Sequence, residues 1–369
     1  MSHASASTGV GTAQAGSAQA RTGQPGAPEP ERRRGLLRGG GRRAAGLLAL
    51  FVLLAFVCLL SLRLGSAELS TSAAVRAFTD FDGSDPHVIV RTLRLPRTVI
   101  GLGVGAALGV AGGIMQALTR NPLADPGVLG INAGAAFAIV TAVTVLGVVS
   151  PSMYVWFAFA GALGAACVVF AVGSAGRSGT TPVKLALAGV VVSALLGSWT
   201  SALLVLDQQT LDEVRFWLAG SLAGRDFGIF WEVSPFLLGG VLLGVLTTRQ
   251  LNALSLGEDV ARALGQRTRL VRAGCVALVV ILAGSAVAAA GPIGFVGLAV
   301  PHIARVLTGP DYRWILPYSA VLGATLLIAA DVAGRIIARP GEIQVGIVTA
   351  LVGAPFLVVL ARRRKLAEV

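Results

Sequence analysis

Lysine is almost missing from this chain: Lys184 and Lys365 are the only two among 30 basic residues, and the rest are arginine. A phosphate-cradling loop of the GxxxxGK[ST] kind needs a lysine directly after its glycines, and neither lysine stands in that context. Nucleotide hydrolysis by that route is excluded. Histidine is nearly as scarce, with only His3, His87 and His302. No Ser/His/Asp or paired-carboxylate arrangement stands out, so no catalytic residue is assigned. His302, at the end of an apolar run in GLAVPHIAR, reads as a capping or packing residue. The three cysteines, Cys58, Cys167 and Cys275, fall inside apolar runs with no CxxC or Cys/His spacing. They read as small core hydrophobes, and no disulfide, metal site, redox chemistry or cofactor is expected from them.

Charge is the other shortage. Asp, Glu, Lys and Arg make up 13% of the chain, against roughly 25% in soluble domains. What replaces them is apolar: 54% hydrophobic residues and a mean hydropathy of +0.77. The fold class expected is an all-α polytopic membrane protein, with lipid as its main solvent. A net charge of +12 would suggest nucleic acid as the partner of a soluble chain. Here the arginines sit in loops and tails, where orientation in the membrane explains them, and no nucleic-acid partner is expected.

Taken in order, residues 1–43 are rich in Ala, Gly, Ser, Gln and Pro, and end in an arginine cluster. They are expected to form a disordered cytoplasmic tail. An apolar, multi-span region follows, over residues 44–363, with 364–369 as a C-terminal tail. Ten spans are expected, at about 44–62, 98–119, 128–149, 153–174, 185–206, 229–248, 273–290, 294–307, 314–332 and 343–361. Gly65 to Val90 reads as a loop or surface helix outside the bilayer. Asp207 to Asp226, with Trp217, reads as an interfacial amphipathic piece. With both termini inside, 21 of the 30 Lys and Arg fall on inner segments and 11 of the 18 Asp and Glu on outer ones. That split follows the positive-inside rule.

Three stretches beside the spans hold the candidate functional residues. Arg94 and Arg97 bracket a proline ahead of a Gly- and Ala-rich span; alone, they read equally as phospholipid anchors or as a docking pair. Asn121, Pro122, Asp125, Pro126 and Gly127, in NPLADPG, form a structural turn. In LNALSLGEDVARALG, Leu251 to Gly265, Ser255 and Glu258 have the spacing of a capping box, Gly265 is a helix stop, and Leu256, Val260 and Leu264 share one face. Such a helix either lies on lipid or docks a soluble partner.

Five blocks in order resemble one family, the FecCD-type permeases of binding-protein-dependent ABC importers. They are RLPR (Arg94 to Arg97), GIMQALTRNPLADPGVLGINAGA (Gly113 to Ala135), LNALSLGEDVARALG, GPIGFVGLAVPHIAR (Gly291 to Arg305) and GEIQVGIVTALVGAPFLVVL (Gly341 to Leu360). The resemblance implies the type II ABC importer permease fold, with about ten transmembrane helices. It also implies a second permease subunit, separate ATPase subunits on the cytoplasmic side and an extracytoplasmic substrate-binding protein. The cargo implied is a ferric siderophore, with haem or cobalamin as the alternatives. On the same basis Arg94, Arg97 and Arg335 are expected to dock the binding protein. Ser255, Gly257, Glu258, Ala261, Leu264 and Gly265 are expected to couple to the ATPase. The chain itself would do no covalent chemistry. A secondary transporter would also be Gly-rich, but it would carry ionisable residues within its spans, and the central spans are bare of them.

Overall fold

The structure, a computed structural model, describes residues 35–65, 69–148, 150–175 and 182–362. Fifteen α-helices and no strands occur among the described residues. They are α1 Gly40–Arg63, α2 Thr71–Thr79, α3 Asp85–Val88, α4 Leu95–Thr119, α5 Ile131–Leu146, α6 Pro151–Ser174, α7 Pro182–Leu206 and α8 Gln208–Leu218. Then come α9 Phe227–Leu246, α10 Thr248–Ser255, α11 Glu258–Ala263, α12 Thr268–Ala290, α13 Val296–Thr308, α14 Tyr312–Ile337 and α15 Val345–Arg362. Seven helices are long and apolar enough to cross a membrane, and Ile131–Leu146, Val296–Thr308 and Val345–Leu360 are shorter apolar helices. The ten apolar runs read from the sequence are all helical.

Their ends differ from expectation where charged residues lie inside helices. The second span was expected from residue 98, yet helical structure begins at Asp85 and passes through a π turn, Ile89–Arg94, before α4. Pro96 explains the turn. It has no N–H for the carbonyl of Thr92, and its ring crowds that carbonyl. The Leu95 N–H bonds instead to Val90, five residues back. The ninth span was expected to stop at 332, but α14 runs on to Ile337 and so carries Arg335 inside the helix.

α4 is the centre of the bundle, with α14, α12, α13 and α9 against it. Its glycines allow that. A Cβ on Gly105 would collide with the backbone of Gly323 on α14, and one on Gly112 with the backbone carbonyl of Gly297 on α13. In lipid, helix pairs are held by such close packing rather than by water exclusion. The outer helices are different: α1 buries only Val57 and Ser61, and Cys167 on α6 is exposed rather than a core residue.

Two expectations are corrected here. Residues 35–43 do not belong to a disordered tail, because Leu36 and Leu37 donate backbone hydrogen bonds to Val306 (3.1 Å) and Leu307 (2.8 Å) at the end of α13 and residues 40–43 open α1. The Tyr318 hydroxyl also donates to the Arg43 carbonyl, at 2.6 Å. The rest of the expected tail, 1–34, lies outside the described residues, as does the C-terminal tail. Trp217 is not an interfacial anchor either, since it is 4% exposed. The turn after α8 is tied inward by Ser221 N–H to Ala290 (2.7 Å) and by Gly346 N–H to Gly220 (2.9 Å). It packs where Gly291 ends α12.

Candidate functional site

At one end of the bundle the three predicted arginines meet in a single polar knot, and two of them face inward. Arg97 lies in the first turn of α4, where its Nε reaches both Asp331 carboxylate oxygens at 3.0 Å. Its Nη2 donates to Asp331 Oδ1 at 2.6 Å, and its Nη1 to Glu342 Oε2 at 2.8 Å. Arg335, one turn beyond Asp331 on α14, donates to Asp331 Oδ2 (3.0 Å), Ser61 Oγ (2.8 Å) and the carbonyls of Ser61 (3.1 Å) and Leu64 (3.0 Å). The π turn swings Arg94 toward the end of α1, where it donates to the Leu62 (2.9 Å) and Arg63 (2.5 Å) carbonyls.

Burial decides what this knot can do. Arg94 is 5% exposed, Arg335 4% and Asp331 1%. The expectation that all three arginines present themselves to a docking partner is therefore corrected. Arg94 and Arg335 are committed to the carbonyls that end α1, which would otherwise be left without partners. Only Arg97 with Glu342, whose side chain is 33% exposed, reaches the edge. Three guanidiniums against two carboxylates leave the knot with one excess positive charge. The sequence reading missed both acids. Asp331 was legible as an acid inside an apolar run four residues before an arginine, the spacing that pairs side chains along a helix.

The second cluster is the polar corner between α9 and α12. It is not one helix with a capping box. Gly257, at φ 116°, breaks it into α10 and α11 and stands as the α11 N-cap without a side-chain bond. Such a backbone conformation favours glycine. Ser255 closes α10 instead, its Oγ donating to the Asn252 carbonyl at 2.7 Å. Glu258 receives Arg262 Nη2 at 2.6 Å and reaches Thr268 Oγ1 and Arg272 Nη1, both at 3.4 Å. Burial alone would raise this carboxyl, but Arg272 and Arg262 outweigh it and hold Glu258 below the usual glutamate range. Ala261 is fully buried, while Leu256, Val260 and Leu264 are 66%, 45% and 67% exposed. Gly265, at φ 80°, ends the turn, its N–H bonded to the Arg262 carbonyl at 2.8 Å. Asn252 fastens the corner to the start of α14, donating to Asp311 Oδ1 (2.7 Å) and accepting from the Tyr312 N–H (2.9 Å).

The third cluster is the turn after α4. Arg120 adopts the left-handed conformation and ends the helix. Asn121 Oδ1 accepts from the Leu123 N–H (2.9 Å), and Asp125 Oδ1 from the Gly127 N–H (2.8 Å). Pro126 and Gly127 then start a single 3-10 turn, Pro126–Leu129, that leads into α5. Pro122 is the middle residue of the first of these turns, between Asn121 and Leu123.

Among the described residues no group of His, Cys, Asp and Glu could hold a metal ion. The FecCD transport family matches residues 53–363. Over 303 residues the chain is 46% identical to "Probable siderophore transport system permease protein YfiZ" of Bacillus subtilis, covering 82% of this chain and 91% of that protein. It is also 46% identical over 306 residues to "Ferric enterobactin transport system permease protein FepD" of Escherichia coli, covering 83% and 91%. Among solved structures, a metal-chelate type ABC transporter in an inward-facing conformation superposes with a TM-score of 0.76 at 30% identity, covering 86% of this chain and 99% of that one. The chain belongs to the FecCD transport family of multi-pass ABC-importer permeases.

Proposed function

We propose that this chain is the permease subunit that carries a ferric siderophore across the cytoplasmic membrane, with both termini on the cytoplasmic side. The observation that carries the reading is the identity of nearly half, over four fifths of the chain, to two permeases named for siderophore cargo. A second permease subunit completes the pathway, an external binding protein delivers the cargo, and separate ATPase subunits drive the cycle. The α10–α11 corner is the ATPase contact, because Leu256, Val260 and Leu264 are all exposed there while the buried Ala261 and the Asn252 bonds to α14 brace the corner. Nucleotide binding below would shift the populations of inward- and outward-open states through that corner.

Docking of the binding protein centres on Arg97 and Glu342. A partner carboxylate arriving there meets the excess positive charge of the knot and competes with Glu342 for Arg97, while Arg94 and Arg335 hold α1 and α4 in place. Uptake of labelled ferric siderophore, haem and cobalamin by cells with and without this gene tests the cargo. Gene-dependent accumulation of ferric siderophore is expected, and gene-dependent accumulation of haem or cobalamin alone would overturn that assignment.

A further inference from the structure

Arg305 belongs to neither arginine cluster described above. It is half-buried on α13, one turn beyond Pro301, and no carboxylate lies within ion-pair distance of it among the described residues. Its Nη2 donates instead to two neutral oxygens, Gln116 Oε1 on α4 (3.2 Å) and the Tyr312 hydroxyl at the start of α14 (3.4 Å). Gln116 is 2% exposed, and its Nε2 donates to the Leu298 carbonyl of α13 at 3.1 Å. The N–H of the same Tyr312 is the group that Asn252 holds from α10. A continuous set of polar contacts therefore runs from the corner through Tyr312 and Arg305 to the central helix.

α13 is built to bend between those contacts. Pro301 stands inside it and leaves the Gly297 carbonyl without its helical N–H, which makes a flexing point. α4 is shaped to that point: a Cβ on Gly112 would fall on the same Gly297 carbonyl, and one on Gly113 would lie 3.9 Å from Pro301. N-terminal to the proline, backbone against backbone fixes α13 on α4. C-terminal to it, the polar tie between the two helices is Arg305 to Gln116. That tie lacks a counter-charge and is longer than the ion pairs of 2.6 and 3.0 Å that Arg97 and Arg335 make with Asp331, so it is the one that yields first. Coupling between distant sites needs an element with two arrangements, and a half-helix on a proline hinge with a breakable tie supplies one. The strap of Leu36 and Leu37 is attached to the same half and would travel with it.

We propose that residues 302–308 form a rocker hinged at Pro301, and that Arg305 is its positioning residue, tying it to α4 through Gln116 and to the ATPase corner through Tyr312. The inference rests on the α10–α11 corner being the ATPase contact, and it adds how a push at that corner reaches the centre of the bundle. It does not depend on the cargo.

In the complete importer, with ATPase subunits and binding protein in place, hydrogen–deuterium exchange at residues 302–308 is measured with and without ATP and vanadate. A nucleotide-dependent change is expected there and not at 296–300. R305Q should lose that change while hydrolysis continues, R305K should retain it, and Q116L, which leaves the arginine in place, should behave as R305Q does. P301A, which returns an N–H to the Gly297 carbonyl, should lose the change in the opposite sense, with slow exchange in both states. A packing defect alone would speed exchange in R305Q without freezing P301A. An unchanged nucleotide response in R305Q and Q116L, or in P301A, would overturn the proposal. L264E separates it from the contact on which it rests. A normal response in L264E would overturn the ATPase contact at the corner, whereas a response lost in L264E but kept in R305Q would overturn the rocker alone.

Discussion

Asp331 is the residue on which the polar knot depends. It is fully buried and bridges Arg97 and Arg335, so Asp331→Asn leaves two guanidiniums facing each other without their shared counter-charge. Removing one partner of a buried pair costs about 3–5 kcal/mol, and the thermal inactivation midpoint in detergent should fall sharply. Glu342, a third exposed, should matter less to stability: Glu342→Gln is expected to cost about 0–1 kcal/mol in the same assay. Comparable losses for the two variants would contradict the burial argument. Glu258 gives a pH prediction of definite sign. Its carboxyl is held below the ordinary value by Arg272 and Arg262, so what it contributes is present above the unfolded value and lost only as pH falls through the lower folded one. Amide protection factors of α11 should stay flat from pH 7 down to about 5 and drop only below the ordinary glutamate pKa of about 4.3. A loss of protection between pH 6 and 5 would contradict that sign.

For single helices, length and apolarity were enough to find the seven helices long enough to cross a membrane and the three shorter apolar ones, because a run without charges has few other interpretations. Charge misled at the ends. Residues 89–97 carry three arginines and a proline, the usual marks of a loop, yet the π turn absorbs the proline, and Asp331, some 230 residues on, neutralises Arg97. A long-range partner of that kind leaves no local trace. The corner failed for a different reason: the Ser255–Glu258 spacing is right for a cap, but Gly257 occupies the cap position with a backbone conformation that the pattern cannot reveal. The Gly-rich character of α4, by contrast, could be read correctly as a sign of close packing. Gly112→Ala tests it. The added methyl meets backbone on α13 that cannot move aside, and overpacking of this kind costs about 1–3 kcal/mol. Gly164→Ala, where a methyl meets open space, should leave the unfolding midpoint unchanged. Equal midpoints for both variants would argue against the tight crossing.

In the whole molecule, what the sequence lacks carries the argument as much as what it has. On the proposed reading separate ATPase subunits supply the energy, so sealed vesicles holding this permease alone should accumulate no cargo when ATP is added. Accumulation should appear once the ATPase subunits and binding protein are supplied, and Leu264→Glu should abolish it while hydrolysis continues. Uptake by the lone chain would point to a secondary transporter.

The first helix also sets a timetable for the ribosome. α1 packs loosely along its length and is held at its two ends, by the strap onto Val306 and Leu307 with Tyr318 at one and by Arg94 with Arg335 at the other. Apart from Arg94, these moorings are encoded some 240 to 300 residues after the helix they hold. At ordinary elongation rates of about 5–20 residues per second they emerge roughly 12 to 60 s later. The first span to be made thus gains most of its moorings last, and a nascent chain stalled before α13 should carry that span held only at its Arg94 end and open to quality-control proteases.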